Sequence, residues 1–99
     1  MESPLIIDFR SGVARLTLNR VDKRNALTRE LIVQLQIEWD RAIADAQTRV
    51  IVLEANGLAF CAGMDLGEMQ QRASDPDAAG QWMQDSIAYG RLLKTIDEA

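Results

Sequence analysis

The order of apolar and polar positions predicts two short strands near the start of the chain. Residues 5–9 form an apolar-rich run, and Ser11-Gly12 follows as a turn. In residues 13–18 the pattern alternates, with one apolar set on every second position: Ala14, Leu16 and Leu18. A period of two places such a set on one face of a strand. The pattern therefore predicts a β-hairpin.

A longer segment then changes to a helical period. Residues 19–25 are polar and charged, which predicts a loop. Thr28 is a predicted N-cap, and Leu27 and Ile32 have the spacing of a hydrophobic staple around it. Apolar residues then recur at every third or fourth position: Leu31, Leu35, Trp39, Ala42, Ile43 and Ala46. This spacing predicts an amphipathic helix.

The second half of the chain repeats the alternation of strand and helix. Val50 to Leu53 is a continuous apolar run, typical of a strand buried on both faces. Asn56-Gly57 predicts a turn, and residues 65–72 predict a short helix. After a break, Pro76 suits the first position of a long helix over residues 78–96. The apolar candidates of that helix are Trp82, Met83, Ile87, Leu92 and Leu93. Strands that alternate with helices predict an α/β fold.

Composition excludes several classes of partner. The 99-residue chain has a net charge of −4 and an isoelectric point near 4.7, which argues against a general nucleic-acid surface. No apolar run reaches the roughly 18 residues of a membrane span, and residues 1–10 lack the pattern of a signal peptide. With one cysteine and no histidine, neither an internal disulfide nor a Cys/His metal site is expected. We therefore expect a soluble, cytoplasmic protein without a metal, nucleic-acid or membrane partner.

The segment Phe60 to Leu66 contains the candidate chemistry. It follows the third predicted strand and precedes the short helix. Glycine in such a turn allows a ligand to approach the backbone closely. Backbone N–H groups of the turn and of the helix start can then donate to a bound carbonyl oxygen. Because strand, glycine turn and helix units are common, this segment is not specific by itself, but Arg24 to Thr28 lies on a second junction of the same kind.

Together the two segments resemble the crotonase family, the enoyl-CoA hydratase/isomerase superfamily. The match runs in order through four stretches: Gly12–Arg20, Arg24–Thr28, Arg49–Leu53 and Ala59–Leu66. It covers nearly the whole chain and decreases after about Met69. The resemblance implies the ββα spiral of the ClpP/crotonase-like superhelix. Because crotonases are usually well over twice this long, we expect residues 1–99 to be a partial core, its N-terminal ββα repeats, without the remainder of the fold.

The resemblance also implies a substrate and its contacts. The substrate is an acyl-CoA thioester, with coenzyme A entering as part of it and no separate cofactor. Met64 is implied to donate its backbone N–H in an oxyanion hole that stabilises the thioester enolate. Implied contacts to the substrate or its CoA are Lys23, Arg24, Ala26, Leu27, Ala62, Gly63, Asp65 and Leu66. Lys23 and Arg24 are candidates for the CoA phosphates, because arginine can grip a phosphate through two hydrogen bonds.

Each candidate has a structural alternative. The Met64 amide can be an ordinary helix-start donor, and Asp65 is better explained as a helix cap than as a general base. Cys61 is better explained as a small buried thiol than as a nucleophile, since no histidine base exists in the chain. Lys23 and Arg24 can belong to a solvated loop. Independently, Asn25 can hold its turn through a side-chain-to-backbone hydrogen bond.

Departures from the family pattern leave two hypotheses open. Val21 follows Arg20 where many relatives have proline, and Gly67-Glu68 stands where some carry a basic residue. The family's second oxyanion amide, on a Gly-rich turn, and its usual glutamates come later than this chain extends. We therefore expect residues 1–99 to be either the N-terminal part of an acyl-CoA hydratase or isomerase, inactive alone, or a non-catalytic α/β module that associates with itself or binds a partner. In either case we expect a homo-oligomer, formed through Val50–Leu53 and the Trp82/Ile87/Leu92 face.

Overall fold

Three strands form one sheet in the computed structural model, which describes residues 3–98. The elements along the chain are β1 (Leu5–Arg10), β2 (Val13–Leu18), a 3₁₀ turn (Val21–Lys23), α1 (Arg29–Ala44), β3 (Val50–Ala55), α2 (Leu66–Arg72) and α3 (Ala78–Asp97). β1 pairs with β2 in the antiparallel sense, so the predicted hairpin is confirmed. β2 pairs with β3 in the parallel sense, and α1 is the crossover between them. The predicted α/β class is confirmed.

One face of the sheet packs on α1. The even-numbered residues of β2 are buried beneath it, as the alternation predicts. The Thr28 side chain caps α1 by accepting from the Leu31 N–H at 3.1 Å. Leu27 and Ile32, the predicted staple, are both buried in the same core cluster. The end of β2 and the start of α1 are therefore held close to one another, with the loop of residues 19–27 between them.

β3 is more exposed than its apolar run predicts. Val50 is 51% exposed, and the rest of the strand is only half-buried. Within residues 3–98, β3 pairs with β2 alone and forms an edge of the sheet. The prediction of a strand buried on both faces is therefore wrong for this structure, because no described element covers the second edge and face.

The long helix α3 packs on α1 through one stripe. Leu92 is 1% exposed and belongs to the core, whereas Ile87 and Leu93 are more than half exposed. Leu92 and Ile87 thus lie on different sides of α3, and the prediction that both belong to one exposed face is wrong. The described chain is slightly less compact than a typical domain of its length, because its radius of gyration is 14.5 Å and about 13 Å is usual.

α3 begins at Ala78, two residues after Pro76, which the sequence placed at the first helical position. Asp77 is the residue before its first turn, so Pro76 is not the first helical residue. The Ala78 N–H donates to the Asp75 carbonyl at 3.0 Å, which closes a turn with Pro76 at its second position. The φ angle of proline suits that position as well as the start of a helix. The local sequence therefore allowed both placements.

Candidate functional site

A short parallel bridge joins the two predicted loop segments. The Leu27 N–H donates to the Gly63 carbonyl at 2.7 Å, and the Asp65 N–H donates to the Leu27 carbonyl at 2.8 Å. Leu27 precedes α1, whereas residues 63–65 precede α2. The bridge therefore brings the start of α1 beside the start of α2, which sequence spacing alone does not require.

The bridge determines the direction of the Met64 amide. Gly63 and Asp65 both direct a backbone group toward Leu27, so Met64, between them, directs its own N–H to the opposite side. Within residues 3–98 that N–H has no hydrogen-bond acceptor. Buried backbone donors are almost always paired, with protein groups or with water, and Met64 is partly buried. The Met64 N–H is therefore available to a ligand.

Met64 lines a cavity of about 270 Å³ beside this bridge. The lining residues are Lys23, Ala26, Ala62, Met64, Asp65, Leu66 and Gly67. The structure thus brings six of the predicted site residues together. It does not place Arg24, Leu27 or Gly63 in the cavity wall: Arg24 is exposed, Leu27 is buried in the core, and Gly63 contributes the carbonyl of the bridge.

Asp65 is held from two directions. Its Oδ1 accepts from the Glu68 N–H at 2.9 Å, which confirms the helix-cap interpretation. Its Oδ2 accepts from Arg20 Nη1 at 2.9 Å. The hydrogen bond from the Glu68 N–H, with the Arg20 guanidinium as a further cause, lowers the pKa of Asp65 below its ordinary value. Such a carboxylate is a weak base, because these contacts favour its charged form.

The same cap changes the role of the helix start. The N-terminal amides of α2 were expected to add donors for a ligand, but the Glu68 N–H is taken by the Asp65 carboxylate. The negative charge of Asp65 also offsets the positive end of this seven-residue helix. The Met64 N–H of the preceding bridge is not engaged by this cap and has no acceptor within residues 3–98.

Asn25 ties the loop to the rest of the site. Its side chain is fully buried, and its Oδ1 accepts from the Arg20 N–H at 2.7 Å. Its Nδ2 donates to the carbonyls of Asn56 and Ala59, both at 2.8 Å. The predicted side-chain-to-backbone bond is therefore confirmed, and Asn25 further connects the loop to residues after β3. Arg24 and Asn25 both have positive φ angles, 51° and 57°, which this turn needs.

Two neighbouring positively charged side chains of the loop before α1 have no ionic partner among the described residues. Within residues 3–98, neither Lys23 nor Arg24 forms an ion pair with a carboxylate. Both are exposed, and Lys23 borders the cavity. Both charges are therefore free to meet an anionic ligand, and that of Lys23 lies beside the cavity.

Cys61 lies within the turn but without the surroundings of a nucleophile. It is partly buried and packs against the core. Its Sγ accepts from the Gly63 N–H at 3.4 Å, a long contact within the turn. Gly63 itself has a φ of 93°, a conformation that residues with a side chain rarely adopt. In this turn the cysteine and the glycine both support the backbone shape.

Comparison with known proteins identifies the family. The enoyl-CoA hydratase/isomerase family model matches residues 8–95. The chain belongs to the enoyl-CoA hydratase/isomerase family. One relative is the Mycobacterium tuberculosis H37Rv protein named "Probable enoyl-CoA hydratase EchA14", which is 37% identical to this crotonase over 94 residues. The alignment covers 95% of this chain and 32% of that protein. The 2,3-dehydroadipyl-CoA hydratase of Escherichia coli K12 is 41% identical over 70 residues. That alignment covers 71% of this chain and 28% of the hydratase.

Solved structures agree with this assignment. The enoyl-CoA hydratase of Mycobacterium smegmatis superposes with a TM-score of 0.84 at 32% identity, over 96% of this chain and 36% of that one. The crotonase-type fold is therefore confirmed. The chain spans about a third of the length of the relatives it matches.

Other features of the crotonase chain add no further chemistry. No helix among the described residues combines the length and hydropathy that a membrane span needs. Among residues 3–98, no group of three or more histidine, cysteine or acidic side chains could hold a metal ion.

The sequence reasoning missed Arg20 as a site residue. In the sequence, Arg20 marks only the end of the first matching stretch, yet its side chain joins both loop segments. Its position two residues after β2, within a polar loop, gives no indication of a partner. Nothing near Arg20 in the sequence identifies Asp65, 45 positions away, as its partner.

Proposed function

We propose that this chain forms the first part of the thioester site of an acyl-CoA hydratase or isomerase. The supporting observation is the Met64 N–H, which has no acceptor within the described residues and belongs to a residue lining the cavity. A donor aimed at the thioester oxygen stabilises the negative charge that develops when the enolate forms. The relatives named as CoA hydratases support a CoA thioester as the ligand class.

The proposed binding mode assigns each end of the substrate to a different part of the site. The thioester carbonyl oxygen accepts from the Met64 N–H. Ala26, Ala62 and Leu66 border the acyl and pantetheine part of the ligand. Lys23, which borders the cavity, and its neighbour Arg24 meet the CoA phosphates, because neither charge is paired within residues 3–98. Leu27 and Gly63 act indirectly, since their backbone groups build the bridge that directs the Met64 amide.

The assignment of the Met64 N–H can be tested by replacing this backbone N–H with an ester oxygen. Cys61 allows ligation of a synthetic segment of residues 61–99, in which the α-hydroxy analogue of methionine replaces Met64. The resulting ester lacks the N–H but keeps the side chain. We expect crotonyl-pantetheine to bind this protein about tenfold more weakly, the scale of one lost hydrogen bond. The same ester at Met83, which is 67% exposed on α3, is the matched control.

NMR of the ¹⁵N-labelled chain provides the direct readout. Titration with crotonyl-pantetheine should shift the Met64 amide, and Met64→Leu should preserve that shift, because leucine keeps the amide and a similar volume. Crotonyl-CoA should additionally shift Lys23 and Arg24. Equal affinities of the amide and ester proteins for the thioester would reject the oxyanion assignment. Unchanged Lys23 and Arg24 signals would reject the phosphate assignment.

Residues 1–99 alone are expected to show no hydration or isomerisation of crotonyl-CoA. Asp65 is the only carboxylate lining the cavity within residues 3–98, and its contacts favour the charged form. One oxyanion donor is worth roughly 3 kcal/mol, which does not replace a second donor and an acid/base group. A hydration assay on the purified chain measures this, and saturable turnover would contradict it.

A second candidate is a self-associating module. Val33, Ile37 and Ile87 are about half exposed and line an apolar surface cavity of about 330 Å³ between α1 and α3. Exposed apolar clusters of this kind mark interfaces. Sedimentation should show a homo-oligomer, and Ile87→Glu should dissociate it, whereas Met83→Glu, on the same helix, serves as the control. A monomer at about 0.1 mM, in the range of weak association, would reject this candidate.

A further inference from the structure

Arg20 joins the two segments that build the thioester site. Its Nη1 donates to the Ala26 carbonyl and to Asp65 Oδ2, the latter at 2.9 Å. The Arg20 and Asp65 side chains are 19% and 14% exposed. One guanidinium nitrogen therefore connects the loop before α1 with the turn before α2 in a largely buried position.

These two acceptors flank the bridge that directs the Met64 amide. Ala26 directly precedes Leu27, and Asp65 directly follows Met64. The Leu27–Met64 bridge has only two backbone hydrogen bonds, 2.7 and 2.8 Å long. So short a bridge has little stability of its own, since longer ladders gain theirs from repeated pairs and packed side chains. In addition to the two hydrogen bonds of the bridge, the Arg20 side chain joins the same two segments through Ala26 and Asp65.

The backbone of Arg20 is held as well. Its N–H donates to Asn25 Oδ1 at 2.7 Å, and its carbonyl accepts from the N–H groups of Lys23 and Asn25 at 3.0 and 2.9 Å. Asn25 is fully buried and bound to the segment after β3. Because both its backbone and its guanidinium are held, Arg20 fixes the turn before α2 relative to the loop before α1.

We propose that Arg20 is a positioning residue for the Met64 oxyanion donor, an inference that rests on the function proposed above. A donor contributes to catalysis only when it is held where the charge develops. A displacement of about 1 Å can reduce the rate by about a hundredfold. Arg20 holds the Met64 turn at a fixed distance from Ala26, which also lines the cavity. Asp65 accordingly serves as the anchor for Arg20 and as the cap of α2.

If Arg20 positions the Met64 amide, loss of Arg20 should affect recognition of the thioester and not recognition of the nucleotide. Within residues 3–98 the Arg20 guanidinium donates to Ala26 and Asp65, so its loss should leave the Lys23 and Arg24 contacts with the CoA phosphates in place. The thioester contact, which depends on the Met64 N–H, should weaken. A merely structural role would lower the affinity for every ligand, through a smaller folded fraction.

Two variants test the proposal without removing the cap of α2. Arg20→Gln removes the charge and shortens the side chain. Asp65→Asn removes the ion pair but keeps a good N-cap acceptor for Glu68. Arg10→Gln is the matched control, because Arg10 pairs with Asp8 on β1 and its side chain is 83% exposed. Circular dichroism and the amide spectrum of β2 verify that each variant is folded.

The first readout is hydrogen exchange of the two bridge donors, the Leu27 and Asp65 amides. We expect exchange at least about tenfold faster in both variants, the effect of losing roughly one hydrogen bond from the bridge. The β2 and β3 amides should be unchanged, and Arg20→Lys should restore part of the protection. Equal bridge exchange in wild type and both variants would overturn the proposal.

The second readout is binding by NMR titration, with crotonyl-CoA and free CoA as probes. We expect the affinity for crotonyl-CoA to fall about tenfold in both variants, with a smaller Met64 shift, while the affinity for free CoA is unchanged. An undiminished Met64 shift, or an equal loss for both probes, would overturn the positioning role. If wild type shows no Met64 shift, the proposed function fails, and the exchange readout alone then decides whether Arg20 holds the bridge.

Discussion

Asp85 on α3 accepts a hydrogen bond from Arg29 Nε at 2.5 Å, although the two residues are 56 positions apart. The other carboxylate oxygen of Asp85 accepts from Arg72, so α1, α2 and α3 meet at one side chain. Asp85 is 3% exposed. Its hydrogen bond raises the pKa of Arg29, which keeps the guanidinium charged. This contact holds α2, and with it the Met64 turn, against the long helix.

Neutralising Asp85 should destabilise the chain. In Asp85→Asn, Arg29 and Arg72 lose the buried carboxylate that they share, while the Glu68 carboxylate remains 2.8 Å from Arg72 Nη2. Breaking a fully buried pair costs about 3–5 kcal/mol. We expect about 2 kcal/mol here, because the Arg29 side chain is 39% exposed and partly solvated. Urea unfolding measures the change. Asp97→Asn, at the exposed end of α3, is the control, and equal midpoints for the two variants would contradict the prediction.

Truncation of two adjacent leucines of α3 should cost very different amounts of stability. Leu92 is 1% exposed and packs in the core, so Leu92→Ala should lower the free energy of unfolding by about 2–5 kcal/mol. Leu93 is 51% exposed, and Leu93→Ala should change it by less than about 1 kcal/mol. Urea unfolding of the pair checks which face of α3 is buried. Equal losses would show that α3 packs differently in solution.

The same substitution at two glycines should have opposite signs. An added Cβ has no neighbour within 4 Å at either Gly63 or Gly90, so only backbone conformation separates the two sites. Gly63 has a φ of 93°, and Gly63→Ala should cost about 1–3 kcal/mol. Gly90 lies within α3, and Gly90→Ala should stabilise by roughly 0.5–1 kcal/mol.

Thermal unfolding of the two glycine variants provides the measurement. The melting temperature should fall for Gly63→Ala and rise for Gly90→Ala relative to wild type. The affinity of Gly63→Ala for crotonyl-pantetheine should also fall, since the turn directs the Met64 amide. A rise in melting temperature for both variants would show that the Gly63 turn is not constrained.

Asp65 should make stability depend on pH in the acid range. Its folded-state pKa lies below the ordinary value of about 3.9, because it accepts from the Glu68 N–H and from Arg20. The unfolded chain therefore binds a proton first as pH falls. The stabilisation is complete well above pH 4 and disappears as pH falls through the folded-state pKa.

Asp65→Asn isolates this contribution. The variant should be less stable than wild type at pH 6, and the difference should shrink as the pH is lowered toward 2.5, on either side of the ordinary carboxyl pKa of about 3.9. Urea midpoints across that range measure the difference, and Asp8→Asn on β1 is the control. A gap that stays constant with pH would mean that Asp65 is not a depressed carboxylate in the folded protein.

Local chemistry in the sequence determined the elements of this protein. The alternation in β2 and the helical period after Thr28 depend on neighbours within a few residues, and both are confirmed. The Asp65 cap was predictable for the same reason, because its acceptor serves the N–H three residues later. The order of the two loop segments also sufficed to predict the family.

Only the tertiary structure decided how these elements meet. The partners of Arg20 and Asp85 come from distant parts of the chain, and no local period encodes which carboxylate faces which guanidinium. Burial of Leu92 but not Ile87 likewise depends on the angle at which α3 packs on α1. The direction of the Met64 amide has the same origin: the bridge between the two loops at Leu27 directs its N–H away from Leu27, and within residues 3–98 it has no acceptor.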